Sequence, residues 1–405
     1  MDWSDTPEQL SFRQQVRGFI QERLPAYYRD AEIKRIKSQD GETEDWQWEM
    51  MHGTPEAKAA AKEWAEALTE RGWSAPSWPK EYRGGGLSSI EQFILKQELA
   101  FGEAPAVGGS GISLLGNTLL VHGTEEQKQR FLPKTLTGEI LWAQGYSEPG
   151  AGSDLASLQT RAVRDGDEFM VNGQKLWTSA GHKANWIFML TRTDPDAPKH
   201  RGITFLLVDA TTPGITVRPI FSMAWHHATN ETFYENVRVP ANQVVGEVNR
   251  GWYVGMTLLD YERSSIADAV QQRAVHKELV EFLREEDFPN RAGLVSGEIA
   301  DRAIEIEVNN NLSLRIASMQ AAGRLPNYEA SMGKTFSTEL TQRLCRTGMK
   351  AFGLYANLWP GEPLAPIHGR HTFTYLDSSR RTVTGGSNEI QRNIIATRGL
   401  GLPRG

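Results

Sequence analysis

A change of period divides this chain into three parts. Apolar residues recur every three or four positions through the first third, fall into short β-branched and aromatic runs from about 141 to 248, and return to helical spacing after Gly251. Such a chain is built as helices, then a sheet, then helices, and no internal repeat or low-complexity tract interrupts that order. In the first third, Phe12, Val16, Phe19, Ile20 and Leu24 form one apolar stripe on a helix capped by Asp5-Thr6-Pro7. Residues 29 to 56 are polar and carry Gly41, Gly53 and Pro55, and so read as a solvated excursion before an Ala-rich helix that begins near Ala57 and includes Trp64 and Leu68. Ser88 with Glu91, and Thr124 with Gln127, have the spacing of capping boxes, and the helices surround a small-residue stretch at 108–116.

In the middle third, runs at 185–191, 203–208 and 215–217 read as strands, with turns at Asp165-Gly166-Asp167, Asn172-Gly173 and Pro213-Gly214. This predicts a compact antiparallel β domain over 140–248, preceded by a helical domain over 1–139. Candidate helices near 252–285, 297–322, 328–353 and 387–398 make 249–405 a bundle.

A chain of 405 residues with 39% hydrophobic content can enclose a deep pocket, and its net charge of −6 gives no general attraction to nucleic acid or to an anionic membrane. No apolar run reaches membrane-spanning length. The acidic start, Met1-Asp2-Trp3-Ser4-Asp5, resembles neither a signal nor a transit peptide, so the expected address is the cytoplasm. The single cysteine, Cys345, excludes an intrachain disulfide framework and, lying in a helical pattern, reads as a buried thiol. A soluble metabolite or a protein is the expected partner.

Two stretches carry candidate chemistry. In Tyr146-Ser147-Glu148-Pro149-Gly150-Ala151-Gly152-Ser153-Asp154, small residues leave backbone N–H groups and hydroxyls open to a polyanion, although a plain turn between helix and strand has the same composition. In Asn172-Gly173-Gln174-Lys175-Leu176-Trp177-Thr178-Ser179-Ala180-Gly181, a hairpin turn leads into an indole and two hydroxyls, which suits a flat heteroaromatic ring but also an ordinary core tryptophan. Trp225-His226-His227 looks ligand-like, yet neighbours on a strand face opposite ways and no carboxylate or cysteine stands at metal spacing, so no metal is expected. Lys34-Arg35-Ile36-Lys37 reads as a solvated basic patch.

Both stretches match, in order and spacing, the middle-domain signature of the acyl-CoA dehydrogenase family. Phe233-Tyr234-Glu235-Asn236-Val237-Arg238-Val239-Pro240 resembles the end of the family's β domain, and Gly385-Gly386-Ser387-Asn388-Glu389-Ile390-Gln391-Arg392 its carboxy-terminal flavin-contacting turn. The resemblance covers essentially the whole chain. It implies an α+β multidomain fold: an N-terminal α-helical domain, a middle antiparallel β domain and a C-terminal four-helix bundle, with FAD between the last two. It further implies that Tyr146, Ser147, Gly152 and Ser153 line the flavin and the start of the CoA channel. Trp177, Thr178 and Ser179 would flank the isoalloxazine, a hydroxyl facing its N5 and O4 edge, where a donor stabilises the reduced ring. Ser387 and Glu389 match positions that touch the adenosine half of FAD, while Ser153, Asp260 and Arg263 are the expected contacts to the acyl-CoA substrate. A homotetramer or an α2β2 heterotetramer, in which a neighbouring subunit completes the flavin site, follows from the same resemblance, as does an electron-transfer flavoprotein as electron acceptor.

The chain departs from the family at the base. Many members place the catalytic glutamate immediately before the second glycine of the carboxy-terminal motif, and here that position is Gly385. The family's other location is the first helix of the last domain, where Glu262 matches. Leu258, Glu262, Ile266, Ala269 and Val270 follow one another at helical spacing, which sets a carboxylate on an apolar stripe, and burial there raises its pKa as removal of a weakly acidic α-proton requires. Asp260 and Arg263 point off that stripe. The backbone N–H of Gly385 retains a role in polarising the thioester carbonyl. The implied reaction removes the α-proton to Glu262 and the β-hydrogen as hydride to flavin, giving a trans-2-enoyl-CoA. Two other readings stand beside it: a relative whose flavin reacts with oxygen or oxidises a nitroalkane, and a non-catalytic subunit of a mixed tetramer.

Overall fold

The computed structural model describes residues 5–30, 45–262, 267–285, 292–324 and 326–403. The opening helices are α1 (Pro7–Arg23), α2 (Trp46–His52), α3 (Pro55–Glu70), α4 (Ser89–Phe101) and α5 (Glu125–Thr137). Three of them begin with reciprocal capping boxes: Thr6 with Gln9, Ser88 with Glu91, and Thr124 with Gln127. Val16, Phe19, Ile20 and Leu24 bury the predicted face of α1 against Trp64, Leu68 and Trp73. The polar stretch before α3 is not a solvated excursion throughout. Asp45 caps α2, whose Trp46 is buried and donates its indole N–H to the Ala61 carbonyl at 2.8 Å, while Gln47 and Glu49 are buried beside it. Lys34 to Lys37 lie outside the described residues.

The middle domain is one sheet of β1 (Trp142–Gly145), β2 (Arg161–Asp165), β3 (Glu168–Lys175), β4 (Trp186–Arg192), β5 (Ile203–Asp209), β6 (Ile215–Phe221), β7 (His227–Pro240) and β8 (Val244–Val245). Strand order is β6-β7-β3-β2-β4-β5-β8, with β1 added to β4. The sheet is mixed rather than purely antiparallel, because β1 runs parallel to β4 and β2 meets β4 in parallel at Arg161 and Arg192. β4 and β5 are apolar on both faces, since Phe131 and Leu132 of α5 and the helix after Gly251 pack on one side and Val171, Val237 and Val239 on the other. Asn172-Gly173 is not a hairpin turn. It lies inside β3, where the pairing with β7 shifts register, and Gly173 at φ +149° brings its backbone so close to Thr160 that an added Cβ would stand 2.7 Å from the Thr160 Cα. Trp225 likewise sits in a turn, at φ +55°, and only His227 enters the strand.

The last domain comprises α6 (Gly251–Glu262), α7 (Ala267–Glu285), α8 (Ala292–Ala321), α9 (Tyr328–Phe352), α10 (Arg370–Arg381) and α11 (Asn388–Ile394). Helix α10 has no counterpart in the periodicity reading: its sequence is polar, with a narrow buried side of His371, Thr372, Asp377 and Ser378. Cys345 is buried in α9, and burial pushes its thiol up to about 12, which makes it inert. Among the described residues, no helix is long and apolar enough to cross a membrane.

His371 is fully buried in the edge of the Phe352 ring and against Gly348, and burial, assisted by the neighbouring Arg370 charge, lowers its pKa to about 4. The unfolded chain takes up this proton near the ordinary histidine pKa of about 6.5 and the folded chain does not. Stability is therefore complete above about pH 6.5 and falls as the pH drops, by about 2 kcal/mol at pH 5 from this group alone. Urea unfolding at pH 7 and pH 5 should show that loss, and His371→Phe should shrink the difference by about 2 kcal/mol.

Candidate functional site

At the end of β1 the chain leaves the core through Tyr146, which is buried, and makes a turn closed by two reciprocal backbone bonds between Glu148 and Ala151, at 3.0 and 3.1 Å. Pro149 and Gly150 project from it, followed by exposed Gly152, Ser153 and Asp154, and a Cβ added at Gly150 or Gly152 would meet nothing within 4 Å. The turn thus presents a bare backbone edge. Beneath it, Glu148 accepts the amides of Gln159 and Thr160, at 2.6 and 2.9 Å, and an ion pair with Lys175 at 2.7 Å.

The second stretch lies alongside. Leu176 donates its amide to the Ser147 carbonyl at 2.8 Å, so the two candidate stretches meet in the folded chain. Trp177 follows at φ +61°, a left-handed conformation that costs a tryptophan about 1–2 kcal/mol, and its indole is 57% exposed. Thr178 is fully buried. Its backbone exchanges two bonds with Asn230, at 2.9 and 3.1 Å, and its hydroxyl meets that of Thr232 at 3.2 Å. Ser179, in the turn that follows, is exposed. The two hydroxyls that the sequence treats alike are therefore different: Thr178 is committed to the sheet, and Ser179 is the one displayed beside the indole.

Asn230 holds this stretch from behind. Its side-chain amide donates to the Thr178 carbonyl at 3.0 Å and to His182 Nδ1 at 3.1 Å, and its carbonyl accepts from His227 Nε2 at 2.7 Å. The two imidazoles stack with centroids 3.8 Å apart. Burial, with the neighbouring His227 and Lys183, lowers His182 to about 4, so it is a neutral acceptor at physiological pH. Among the described residues there is no group of three or more His, Cys, Asp or Glu able to hold a metal ion.

Helix α6 crosses this region. Leu258 is fully buried in the cluster that contains Tyr146, Phe188, Leu190 and Phe205, and a Cβ at Gly255 would lie 3.4 Å from the Tyr146 hydroxyl oxygen. Position 262 ends the same helix, four residues beyond Leu258 and two turns, about 10 Å, beyond Gly255, and so lies on the same face as both. Ala269 and Val270, on the predicted stripe, are buried as well. The side chains of Asp260 and Glu262, and Arg263 and Ile266 entirely, lie outside the described residues.

Ser387 and Glu389 have a different setting, in the last domain. Ser387 caps α11 through the Ile390 amide, and Glu389, fully exposed in the first turn, is held below the usual carboxylate range by a backbone hydrogen bond and by Ser387. Lys334 of α9 donates to the Gly386 carbonyl at 2.9 Å and to Asn388 at 2.8 Å, which fixes the turn. Gly385 and Gly386 both adopt positive φ, +63° and +81°, a backbone that disfavours any side chain at the position where many relatives carry their base.

Sequence reasoning singled out neither Glu148, Lys175, Asn230 nor Gly255. The available signal for Lys175 is its parity with Phe169 and Val171 on β3, which points a lysine into the core.

A donor-rich turn, a displayed aromatic face with an adjacent hydroxyl and a crossing helix with an apolar stripe together fit a large cofactor with a phosphate chain and a flat ring. Models of the acyl-CoA dehydrogenase N-terminal, middle and C-terminal domains match residues 6–139, 143–237 and 249–400. Acyl-CoA dehydrogenase FadE26 of Mycobacterium tuberculosis is 35% identical, over 99% of this chain and 98% of its own length. The chain spans 46% of the length of a longer relative from the same organism, acyl-CoA dehydrogenase FadE34, at 39% identity over 84% of this chain. Among solved structures, the Tcur3481-Tcur3483 steroid ACAD superposes with a TM-score of 0.85 at 33% identity, each chain covered in full. The ChsE4-ChsE5 complex from Mycobacterium tuberculosis does so with 0.81, also at 33% identity and full coverage of both chains. The chain belongs to the acyl-CoA dehydrogenase family, whose members are FAD-dependent oxidoreductases.

Proposed function

We propose that this chain binds FAD and desaturates an acyl-CoA thioester between Cα and Cβ, with Glu262 as the base. One observation carries the reading: α6, which ends at position 262, packs through Gly255 and Leu258 onto Tyr146, the residue from which the displayed turn departs. That packing supports a base at position 262 acting beside the ring-binding stretches. The open edge at Gly150, Gly152 and Ser153 offers amides and a hydroxyl to a pyrophosphate and to the beginning of a CoA chain, and Trp177 supplies a face for the ring. Ser179 offers its hydroxyl at the ring edge, Thr178 being turned inward. FAD, when bound, supplies the two-electron acceptor. Glu262 takes the α-proton, N–H donors at the thioester oxygen, including that of Gly385, stabilise the enolate character, and Asp260, Arg263 and Ser153 hold the CoA portion. Ser387 and Glu389 fit an adenosine half reached from a neighbouring subunit, and an electron-transfer flavoprotein is the proposed acceptor.

A second reading, a subunit that supports an active partner in a mixed tetramer, is favoured by the glycines at 385 and 386 and by the similarity to the ChsE4-ChsE5 complex. Anaerobic mixing of the purified chain with thioesters ranging from short straight acyl chains to steroid side chains decides between them. The desaturase reading expects the flavin absorbance to bleach with at least one thioester, and Glu262→Gln to keep the flavin but slow bleaching by about 10²–10⁴-fold. A variant that bleaches as fast as wild type means that another group is the base. An absence of bleaching by a flavin-loaded wild type supports the partner subunit.

Trp177 gives a further test, because its backbone strain serves the ring site and not the fold. Trp177→Gly should leave the apoprotein within about 1 kcal/mol of wild type, or above it, since the left-handed backbone is relieved and little buried surface is lost. FAD binding should weaken by at least about tenfold, about 1.4 kcal/mol. Fluorescence titration with FAD and thermal unfolding of the apoprotein read the two effects separately.

A further inference from the structure

The middle domain contains a buried charge pair. The Lys175 side chain has no solvent exposure and that of Glu148 has 7%. The ammonium donates to the Glu148 carboxylate at 2.7 Å and to the Tyr146 carbonyl at 3.1 Å. The carboxylate is completed by the amides of Gln159 and Thr160, at 2.6 and 2.9 Å. Removing both ions from water is costly, and packed apolar residues of the same volume usually stabilise a fold at least as well. What an apolar pair cannot do is fix the direction of a carbonyl. Lys175 reaches from the end of β3, immediately before Leu176 and Trp177, to both residues that flank Ser147, and Leu176 itself donates to the Ser147 carbonyl at 2.8 Å. The two stretches read above as the ring site are joined here by fixed, directional bonds and not by contact alone.

We propose that Lys175 and Glu148 are positioning residues for the flavin: the pair sets the separation and tilt of the turn at 146–154 against the segment at 176–179 before the cofactor binds. This rests on the flavin reading above. The charge states support it. Burial pulls Lys175 down to about 8 against the attraction of Glu148, and Glu148 stays below the usual carboxylate range because Lys175 and the two amides outweigh its burial, so the pair is ionised at neutral pH. With two donors of the ammonium and both carboxylate oxygens engaged, the pair defines one geometry.

Lys175→Met alone strands a buried carboxylate and lowers stability for that reason, so the informative variants are Glu148→Gln/Lys175→Met, which neutralises both partners, and Glu148→Gln, which removes the carboxylate charge with little change in shape. Glu98→Gln is the control, because Glu98 is 2% exposed in a charge cluster with Arg13 and Arg17 in the first domain. Three readouts are compared: amide hydrogen exchange over 146–154 and 176–179 in the apoprotein, the FAD dissociation constant, and the absorption maximum and reduction potential of the bound flavin. The expected result is exchange at least about tenfold faster in both segments, FAD binding at least about tenfold weaker and a shifted flavin spectrum and potential in either folded Glu148 variant, while Glu98→Gln lowers the melting temperature without moving any of the three. A Glu148 variant that folds with wild-type exchange, affinity and spectrum overturns the proposal. A wild-type chain that takes up no FAD overturns the flavin reading instead, and the exchange comparison still decides whether the pair positions the two segments.

Discussion

The site depends on one short seam, where the end of β3 is tied to the turn after β1. Leu176 bonds the Ser147 carbonyl, and Lys175 bonds the Tyr146 carbonyl and Glu148 beneath it. Everything displayed toward solvent hangs from this seam: the bare edge at Gly150 and Gly152 on one side, Trp177 and Ser179 on the other. The parallel pairing of β1 with β4 delivers the turn to this place, and a bulge in β7 at Glu235 and Asn236, opposite Asn172, shifts the register in which β3 delivers the second segment. Strain appears where the display requires it, at the left-handed Trp177, and is carried by the bonds of Thr178 and Asn230 on its far side.

Much of the fold is legible in the chain. The stripe of Val16, Phe19 and Ile20 and the Ser88 and Thr124 capping boxes specify their helices locally, because each signal is satisfied by residues within a turn of it. The failures occur where a long-range partner decides. Trp46 to His52 reads as polar until Trp46 finds the Ala61 carbonyl, and α10 gives no apolar period because its buried side is built of His371, Thr372, Asp377 and Ser378. Asn172-Gly173 carries the composition of a hairpin turn, but the close approach of Thr160 and the pairing with β7 keep it inside the strand.

The candidate site divides in the same way. The two stretches stand out because small residues and an indole in that order are unusual, and the structure brings them into contact. That Thr178 faces inward and Ser179 outward breaks the alternation of β3, whose last residue Lys175 is also buried: the left-handed Trp177, just past the end of the strand, resets the phase, which the sequence does not reveal. Lys175 was hidden for a similar reason: a lysine in a motif reads as a solvated charge until Glu148, far away in the chain, is seen to meet it. Position 262 is the reverse case, since helical periodicity alone sets it on the apolar face shared by Leu258.

The turn, the indole and α6 form one packed unit, and the chain belongs to a family of FAD-dependent oxidoreductases. The account's central claim is that this chain, by itself, removes two hydrogens from an acyl-CoA. Single-turnover mass spectrometry tests it most directly: flavin-loaded protein is mixed anaerobically with each thioester of a panel from short straight acyl chains to steroid side chains, and the thioester is weighed while the flavin absorbance is followed. The account predicts a product lighter by two hydrogens, in amount equal to the flavin reduced. An unchanged thioester mass across the whole panel, with flavin bound and oxidised, would contradict it.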